Sequence, residues 1–408
     1  MIDEIATLDD FDFTGKTVII RLDLNTPLDP ETGEFLEDRR MRSHIPTLQE
    51  LMDKKARVVC LAHQGRAGEP QFTELQKHAE HLSELLNTPV KYVESVFGTT
   101  AKNAIKNMSD GEILLLNNVR IYSEEAMNRP ADQQAKTLLV KNLAPLCDIF
   151  VNDAFGTAHR SHASTVGFAH VLPSAAGRLM ESEIRALYDV VDNPKKPLVF
   201  ILGGAKVRDS IKVIQKLVNG SVNKILTGGV LANVFLAAKG YRLGDPSIEF
   251  IRGKKLVDQI DVARELLEEN SDRIILPTDI AIDKNGERVE LPVSSLPQDY
   301  RILDVGKSTV ESYKEAVSSA GTVFFNGALG LYENPVFARS TEDIIKAIGA
   351  SDCFSVIGGG DTVAAARNLG IEADLNHVST GGKASIDFLA GVKMPAIEAL
   401  KDSKKGND

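Results

Sequence analysis

LVFILGGAKVRDSIKVIQKLVNGSVNKILTGGVLAN, residues 198–233, makes the same pattern twice. A short apolar run (LVFIL, then KIL) stops at a glycine pair, and a stretch of helical period follows, with Val207, Ile211, Ile214 and Leu217/Val218 along one face. Runs of this kind recur along the chain. The first part holds TVIIRL (17–22), RVVCLA (57–62), VKYV (90–93), ILLL (113–116) and IFV (149–151). The second adds RIIL (273–276), TVFF (322–325), FSVI (354–357) and HV (377–378). Continuous apolar strands alternating with helices predict parallel sheets covered on both faces. Eleven strands exceed one comfortable open sheet, so the expected fold is α/β with two doubly wound, Rossmann-like domains. The boundary is expected at a helix between prolines, LPSAAGRLMESEIRALYDVVDNPKKP, with Leu179, Ile184, Leu187 and Val191 at helical spacing. Residues 1–172 then form one domain, 173–193 a connecting helix and hinge beside an interdomain cleft, and 194–380 the second domain.

Composition narrows the function. The 408 residues are 43% hydrophobic and 25% charged, as in folded proteins. Lys and Arg number 47 against 57 Asp and Glu, a net charge of −10, which argues against a nucleic-acid or anionic-membrane binder. No apolar run approaches the roughly 20 residues of a membrane helix. The acidic start, MIDEIATLDD, lacks the layout of a signal peptide. Three scattered cysteines, Cys60, Cys147 and Cys353, read as buried thiols of a cytoplasmic protein.

Ligands of open parallel sheets bind beyond the carboxyl ends of the strands. In the first part these ends are polar and cationic. Asp23 and Asn25 follow the first run, with Arg21 still inside it; His63 and Arg66 follow the second. Asn118 and Arg120 follow ILLL, and Asn152, Asp153, His159, Arg160 and His162 follow IFV. Arg39, Arg40 and Arg42 precede a helix expected to start at Ser43 as N-cap, with Pro46 in its first turn. Arginines gathered at one sheet edge of an acidic protein predict a pocket for a small, highly anionic molecule. Singly, each could pair with a neighbouring carboxylate instead.

In the second part the ends are glycine turns: LGGAK, TGGVLAN, NGALG, GGGDT and STGGKAS. Glycine lets a ligand approach the backbone, and the helix start that follows attracts phosphate. Five such turns predict a nucleotide cradle, although any one alone is often merely a tight turn. Lys206 opens a helix, where a cation opposes the macrodipole and makes sense beside an anion. Asp361 would repel phosphate unless Mg²⁺ intervenes; a plain N-cap is the competing reading. VGKST (305–309) lacks the first glycine of a phosphate-binding P-loop, and the His-x-x-His pairs lack further metal ligands. Two half-sites, one anionic-substrate and one Mg²⁺–nucleotide, predict phosphoryl transfer after domain closure.

In these motifs the chain resembles the phosphoglycerate kinase family from Thr17 to about Ala399. RLDLNTP, AHQGR, LLNNVR, FVNDAFGTAHRSHAST, LGGAKV, NGALGLYE, IGGGDTVAA and HVSTGGKAS stand in the family's order. The resemblance implies reversible transfer of the acyl phosphate of 1,3-bisphosphoglycerate to ADP, giving 3-phosphoglycerate and ATP. By motif, it implies that Asp23 and Asn25 hold the glycerate end. His63, Arg66, Arg120 and Arg160 would bind the phosphate that stays. Arg40 and Lys206 would stabilise the transferring group from the two sides. Gly203, Gly204, Gly228 and Gly229 would approach the adenosine, and Asn326 and Glu333 the nucleotide's phosphate and ribose. Asp361 would hold Mg²⁺–nucleotide, with Gly359, Gly360 and Thr362 near its phosphates. The resemblance also implies a monomer, and a C-terminal segment, 381–408, that returns toward the first domain.

The chain departs from the family pattern at several points. Ser210 replaces a second lysine, for which Lys212 or Arg208 could compensate; Lys383 replaces a glycine; Ala328, Lys307 and Ala67 replace prolines. Some of these lean toward an archaeal-type member. A different carboxylate or carbamate kinase would lack this arginine set. A catalytically dead binding protein would lack Arg40, Lys206 or Asp361, and all three are present.

Overall fold

The computed structural model describes residues 2–407. Its fifteen strands are β1 (Thr17–Arg21), β2 (Arg57–Leu61), β3 (Val90–Val93), β4 (Ile113–Leu116), β5 (Ile149–Asn152), β6 (Ser174–Ala176), β7 (Leu198–Leu202), β8 (Lys224–Thr227), β9 (Ile274–Ile275), β10 (Asp279–Lys284), β11 (Glu287–Pro292), β12 (Ile302–Val305), β13 (Thr322–Asn326), β14 (Phe354–Gly358) and β15 (His377–Val378). They form two six-stranded parallel sheets, ordered β3-β4-β2-β1-β5-β6 and β15-β14-β13-β7-β8-β9. β1, β4 and β5 are buried along their whole length, as strands covered on both faces must be.

In each sheet the chain starts at the centre, runs to one edge, then returns to fill the other side. That places a switch point between β1 and β5 in the first sheet, and between β7 and β13 in the second. Loops after these four strands diverge there and leave a crevice.

All eleven runs read from the sequence are strands. Two features add to them. β6 pairs with β5 inside the segment assigned to the connecting helix, so that helix starts only at Arg178 and spans Arg178–Val191. β10, β11 and β12 form a separate antiparallel sheet, ordered β11-β10-β12.

The chain divides into two units, 1–185 with 393–408, and 186–392. Each has its own apolar core. In the first, Ile20, Val58, Leu115 and Val151 meet Leu48, Leu51 and Leu82 from the helices. In the second, Val199, Ile201, Val323 and Phe325 meet Ile344, Ile345 and Val317. Residues 381–392 belong to the second unit.

The arginine segment also differs from the expectation. Arg39, Arg40 and Arg42 do precede a helix, Ile45–Asp53, but they also form a short one of their own, Arg39–Ser43. Ser43 is not its N-cap, because its hydroxyl donates back to the Arg39 carbonyl at 2.8 Å. His44 takes the cap position and Pro46 lies in the first turn.

Candidate active site

In the first unit the residues after β1 and β2 meet those after β4 and β5. Asp23 is buried, and Arg40 Nη1 donates to its Oδ2 at 2.9 Å. Burial alone would raise this carboxyl, but the charges of Arg40 and Arg21 hold it well below the usual carboxylate range. The Asn25 side-chain oxygen accepts the Gly65 amide at 2.8 Å, which fixes the loop after β2 against the loop after β1.

His63 is buried with Nδ1 2.9 Å from Arg21 Nη2. A guanidinium only donates, so Nδ1 is the acceptor and Nε2 carries the proton. Burial, then the Arg21 charge, push the ring well below the usual histidine range, so it is neutral at pH 7.

Arg120 donates to the Gly65 carbonyl at 2.6 Å, and the Asn118 side chain caps the 3₁₀ turn that carries it. Arg160 rests its Nε on His159 Nε2 at 3.2 Å. Burial, then Arg160 and Arg21, lower Arg120 to about 10. Burial also lowers Arg160, with Arg66 and Arg40 adding to it against Asp23 and Glu125. These guanidinia therefore stand in one another's field, a cost that a bound polyanion would relieve. Arg66 stays on the rim, 69% exposed, with Glu69 3.9 Å from it.

Sequence reading missed the support beneath this pocket. Arg21 Nε donates to Ser164 Oγ at 2.7 Å, and Ser164 donates from both its hydroxyl and its amide to Glu125, at 2.5 and 2.9 Å. A charged residue inside the apolar run TVIIRL was the available signal for Arg21; nothing local marks Glu125. A second support runs through His44. Its Nδ1 donates to Asp153 at 2.7 Å and its Nε2 accepts the Asp23 amide at 3.0 Å. Asp153 therefore works inside the scaffold: its other oxygen accepts the amides of Leu179 and Met180 at 3.0 and 3.3 Å.

In the second unit the turns after β7, β8, β13 and β14 meet. Gly204 donates to the Ala328 carbonyl at 2.8 Å, and Gly229 to that of Leu329 at 2.7 Å. A Cβ on Gly203 would lie 2.3 Å from the Ala328 oxygen, and one on Gly228 2.2 Å from a Leu329 methyl. At these two positions loop-on-loop packing already requires glycine. Gly204 and Gly229 line an open cleft with Glu333 and Asp361, and Gly360 has free space where a side chain would stand. The Thr362 hydroxyl accepts the Gly327 amide at 2.9 Å and ties two turns together. Asn326 ends β13 beside the backbone of Gly359.

Lys206 is exposed at the N-cap of the helix Val207–Leu217. Asp361 lies in the first turn of the helix Gly360–Asn368 and is not its cap; Gly359 holds that position without a side-chain bond. Partial burial and the Glu333 charge raise its carboxyl, against the pull of Lys206. Among the described residues no three His, Cys, Asp or Glu side chains gather as a metal-holding set. A lone carboxylate beside a phosphate cradle nevertheless suits a magnesium ion that brings its other ligands on a nucleotide.

Two of the departures from pattern, Ser210 and Lys383, have a local account in the structure. Ser210 is buried on the inner face of its helix. Arg208, a possible compensating cation, is held by Asp258 at 2.6 and 2.7 Å. Lys383 pairs with Asp387 at 2.8 Å and Asp209 at 3.5 Å, and so joins two helices of the second unit.

Arginines gathered at the end of one parallel sheet and glycine turns at the end of another fit a small-molecule kinase of the two-domain α/β class. Comparison with known proteins narrows the class. The family model described as phosphoglycerate kinase matches residues 8–392. The chain is 48% identical over 402 residues to a phosphoglycerate kinase of Methanothermobacter thermautotrophicus, covering 98% of each chain. It is 49% identical over 397 residues to that of Methanosarcina mazei, covering 97% and 94%. The crystal structure of the Pyrococcus horikoshii OT3 enzyme superposes with a TM-score of 0.92 at 41% identity, covering 98% of this chain and all of that one. The chain belongs to the phosphoglycerate kinase family, among relatives that are mostly archaeal.

Proposed function

We propose that the chain transfers the acyl phosphoryl group of 1,3-bisphosphoglycerate to ADP, reversibly, giving 3-phosphoglycerate and ATP. The observation that carries this reading is the sorting of charge: Arg40, Arg120 and Arg160 share one field at the ends of the first sheet, while Lys206 and Asp361 stand at the helix starts that follow glycine turns of the second. In this reading Arg66, Arg120, Arg160 and the Nε2–H of His63 bind the phosphate that stays on the glycerate. Asp23 accepts from the substrate hydroxyl while ion-paired to Arg40, and Asn25 steadies the loop beside it.

The bond that breaks joins phosphorus to the C1 carboxyl oxygen; the bond that forms joins it to an ADP oxygen. The leaving carboxylate departs ionised, so no proton moves and no general base is needed. The difficulty is bringing anions together. Arg40 from the glycerate side and Lys206 from the nucleotide side address it by preorganised charge. Asp361 would hold Mg²⁺, which when bound screens the nucleotide phosphates. Gly204, Gly229 and Glu333 would line the nucleoside, with Gly203, Gly228 and Asn326 shaping the turns behind it. Gly359, Gly360 and Thr362 would lie at the phosphates. Direct transfer requires the two ligands to meet with water excluded, and the domain closure anticipated from the sequence belongs to this proposal. So does a monomeric, cytoplasmic enzyme; three free cysteines support the reducing compartment.

The test is a coupled assay with 3-phosphoglycerate, ATP and Mg²⁺, drawing off the bisphosphate with glyceraldehyde-3-phosphate dehydrogenase. Turnover should vanish when any one component is omitted. Arg40→Ala or Lys206→Ala should lower kcat by roughly 10³-fold or more. Wild-type turnover in either folded variant would refute the assigned roles.

A further inference from the structure

The loop that carries Glu333 joins β13 to the helix Arg339–Gly349. Glu333 is exposed and lines the cleft with Gly204, Gly229 and Asp361. Among the described residues no hydrogen bond or ion pair holds the Glu333 carboxylate itself, so the backbone beneath it sets its place. A group that must meet a ligand at hydrogen-bond distance needs such a support.

The support comes from the antiparallel sheet. Arg288 lies on β11, a strand that is exposed or half-buried, yet its side chain is 8% exposed. It reaches past β10 to β12, where Nη1 donates to Asp304 Oδ2 at 2.7 Å. The same guanidinium donates to the carbonyls of Val305 at 2.8 Å and Val336 at 3.2 Å. Asp304 Oδ2 also accepts the Ser340 hydroxyl at 2.8 Å, from the first turn of the helix that follows the loop. A Cβ on Gly330 would lie 2.4 Å from the Asp304 carboxyl, so the start of the loop rests on that side chain. The Leu331 amide donates to the Leu303 carbonyl at 2.8 Å. The loop is thus gripped before Glu333 at Gly330 and Leu331, and after it at Val336 and Ser340.

A buried ion pair is a poor source of stability, because removing both charges from water offsets most of their attraction. Burial raises the Asp304 carboxyl to about 6 even beside Arg288. Apolar side chains of the same volume would hold the sheet as well. They could not supply directed bonds to the backbone on the far side of the loop and to the helix start beyond it. We propose that Arg288 and Asp304 are positioning residues of the nucleotide site: their ion pair fixes the loop 330–337 and so places the Glu333 carboxylate where it accepts from the sugar hydroxyls of the nucleotide. The inference rests on the nucleotide site proposed above and adds what orients its sugar contact.

The test is titration calorimetry of the full chain with ADP, 2′-deoxy-ADP and 3′-deoxy-ADP, each with Mg²⁺. It compares the parent, Glu333→Ala, and a variant with Arg288→Met and Asp304→Asn together, which strands no buried charge. The parent should bind ADP about ten-fold or more tightly than at least one deoxy analogue, the worth of a hydrogen bond to a carboxylate. In the Arg288→Met, Asp304→Asn variant that ratio should fall to about two-fold through weaker ADP binding, with the KM for 3-phosphoglycerate unchanged. Added to Glu333→Ala, the same two changes should weaken ADP no further, because the loop then has no carboxylate to place. If the paired change prevents folding, Arg288→Lys keeps the charge beside Asp304 but loses the fork, and should lower the ratio in the same way. An unchanged ratio, a loss shared equally by the three nucleotides, or a loss that adds in full to that of Glu333→Ala would overturn the proposal, since a merely structural pair behaves so. ADP and both analogues binding alike to a parent that turns over would also overturn it and leave the kinase reading standing. Failure of every nucleotide to bind the parent would remove the nucleotide site itself, and this inference with it.

Discussion

His162 lies 8% exposed behind the arginine pocket, with Glu125 3.9 Å from its Nδ1. Burial, then the charges of Arg160, Arg21, Arg120 and His159, push its ring down to about 3. The unfolded chain therefore binds a proton here below about pH 6.5 that the folded chain refuses. With more protons bound to the unfolded state, stability falls as pH falls, from about 6.5 toward 3. For His162 the loss reaches on the order of 3 kcal/mol by pH 4.5. His162→Gln should flatten that part of the profile, seen as a thermal midpoint less sensitive to pH between 6.5 and 4.5 than the parent's. Parallel profiles would show that the ring is not held neutral. The cationic residues around it were legible because each follows a strand at a fixed place in a motif. Their anionic support was not. Glu125 reaches Ser164 across 39 residues of chain, in a stretch with no pattern of its own. Lys383 was equally opaque, since its partner Asp209 lies on another helix.

At the level of elements, Asp153 and His44 link three structures. Asp153 accepts the first amides of the helix Arg178–Val191 on one oxygen and the His44 Nδ1–H on the other. Arg178, in ion pairs with Asp9, Glu50 and Glu181, fixes the same helix start. His44 at the cap of the helix Ile45–Asp53 passes the orientation on to the Asp23 backbone. Asp153→Asn keeps one acceptor for the helix amides but turns a donor toward His44. The ring would have to move its proton to Nε2, where it would oppose the Asp23 amide. We expect a loss of about 2–3 kcal/mol in stability, the cost of unsatisfied buried donors. The KM for 3-phosphoglycerate should also rise, with the KM for nucleotide unchanged. Denaturant midpoints and initial rates would check both, and an unaltered KM would confine Asp153 to stability. This link was half legible: Asp153 stands in a distinctive motif, but the motif suggests a ligand contact where the side chain serves a helix. The antiparallel sheet went unread for a different reason. Its hairpin turns at Asn285 and Gly286, both with positive φ, a recognisable two-residue turn. The flanking β11 is nearly all exposed or half-buried, so no apolar run announces it. β6 is only three small residues, too short to carry a period.

For the molecule as a whole, the first unit is not continuous in sequence: it needs 393–408 as well as 1–185. The helix Pro395–Asn407 explains why. Met394, Ile397 and Leu400 are at most 4% exposed, and burying each such side chain stabilises by about 1.5–3 kcal/mol, an upper range. Lys401 reaches Glu4 at 2.8 Å and Lys404 the Asp3 carbonyl at 2.9 Å, which fastens the chain's last helix to its first residues. The Ala396 amide donates to the Ala158 carbonyl at 3.1 Å, two residues before Arg160. The last helix therefore braces the loop that carries Arg160, while no residue beyond Val392 belongs to the second unit. A chain ending at Val392 should lose several kcal/mol of stability in the first unit. It should bind 3-phosphoglycerate at least ten-fold more weakly, taking a lost brace at about 1.4 kcal/mol, and still bind nucleotide normally. Calorimetric titration of each ligand, with scanning calorimetry of the truncated and full chains, separates the two effects. Equal loss of both ligands would mean that the units do not keep independent cores, and retention of both would mean that the helix braces nothing.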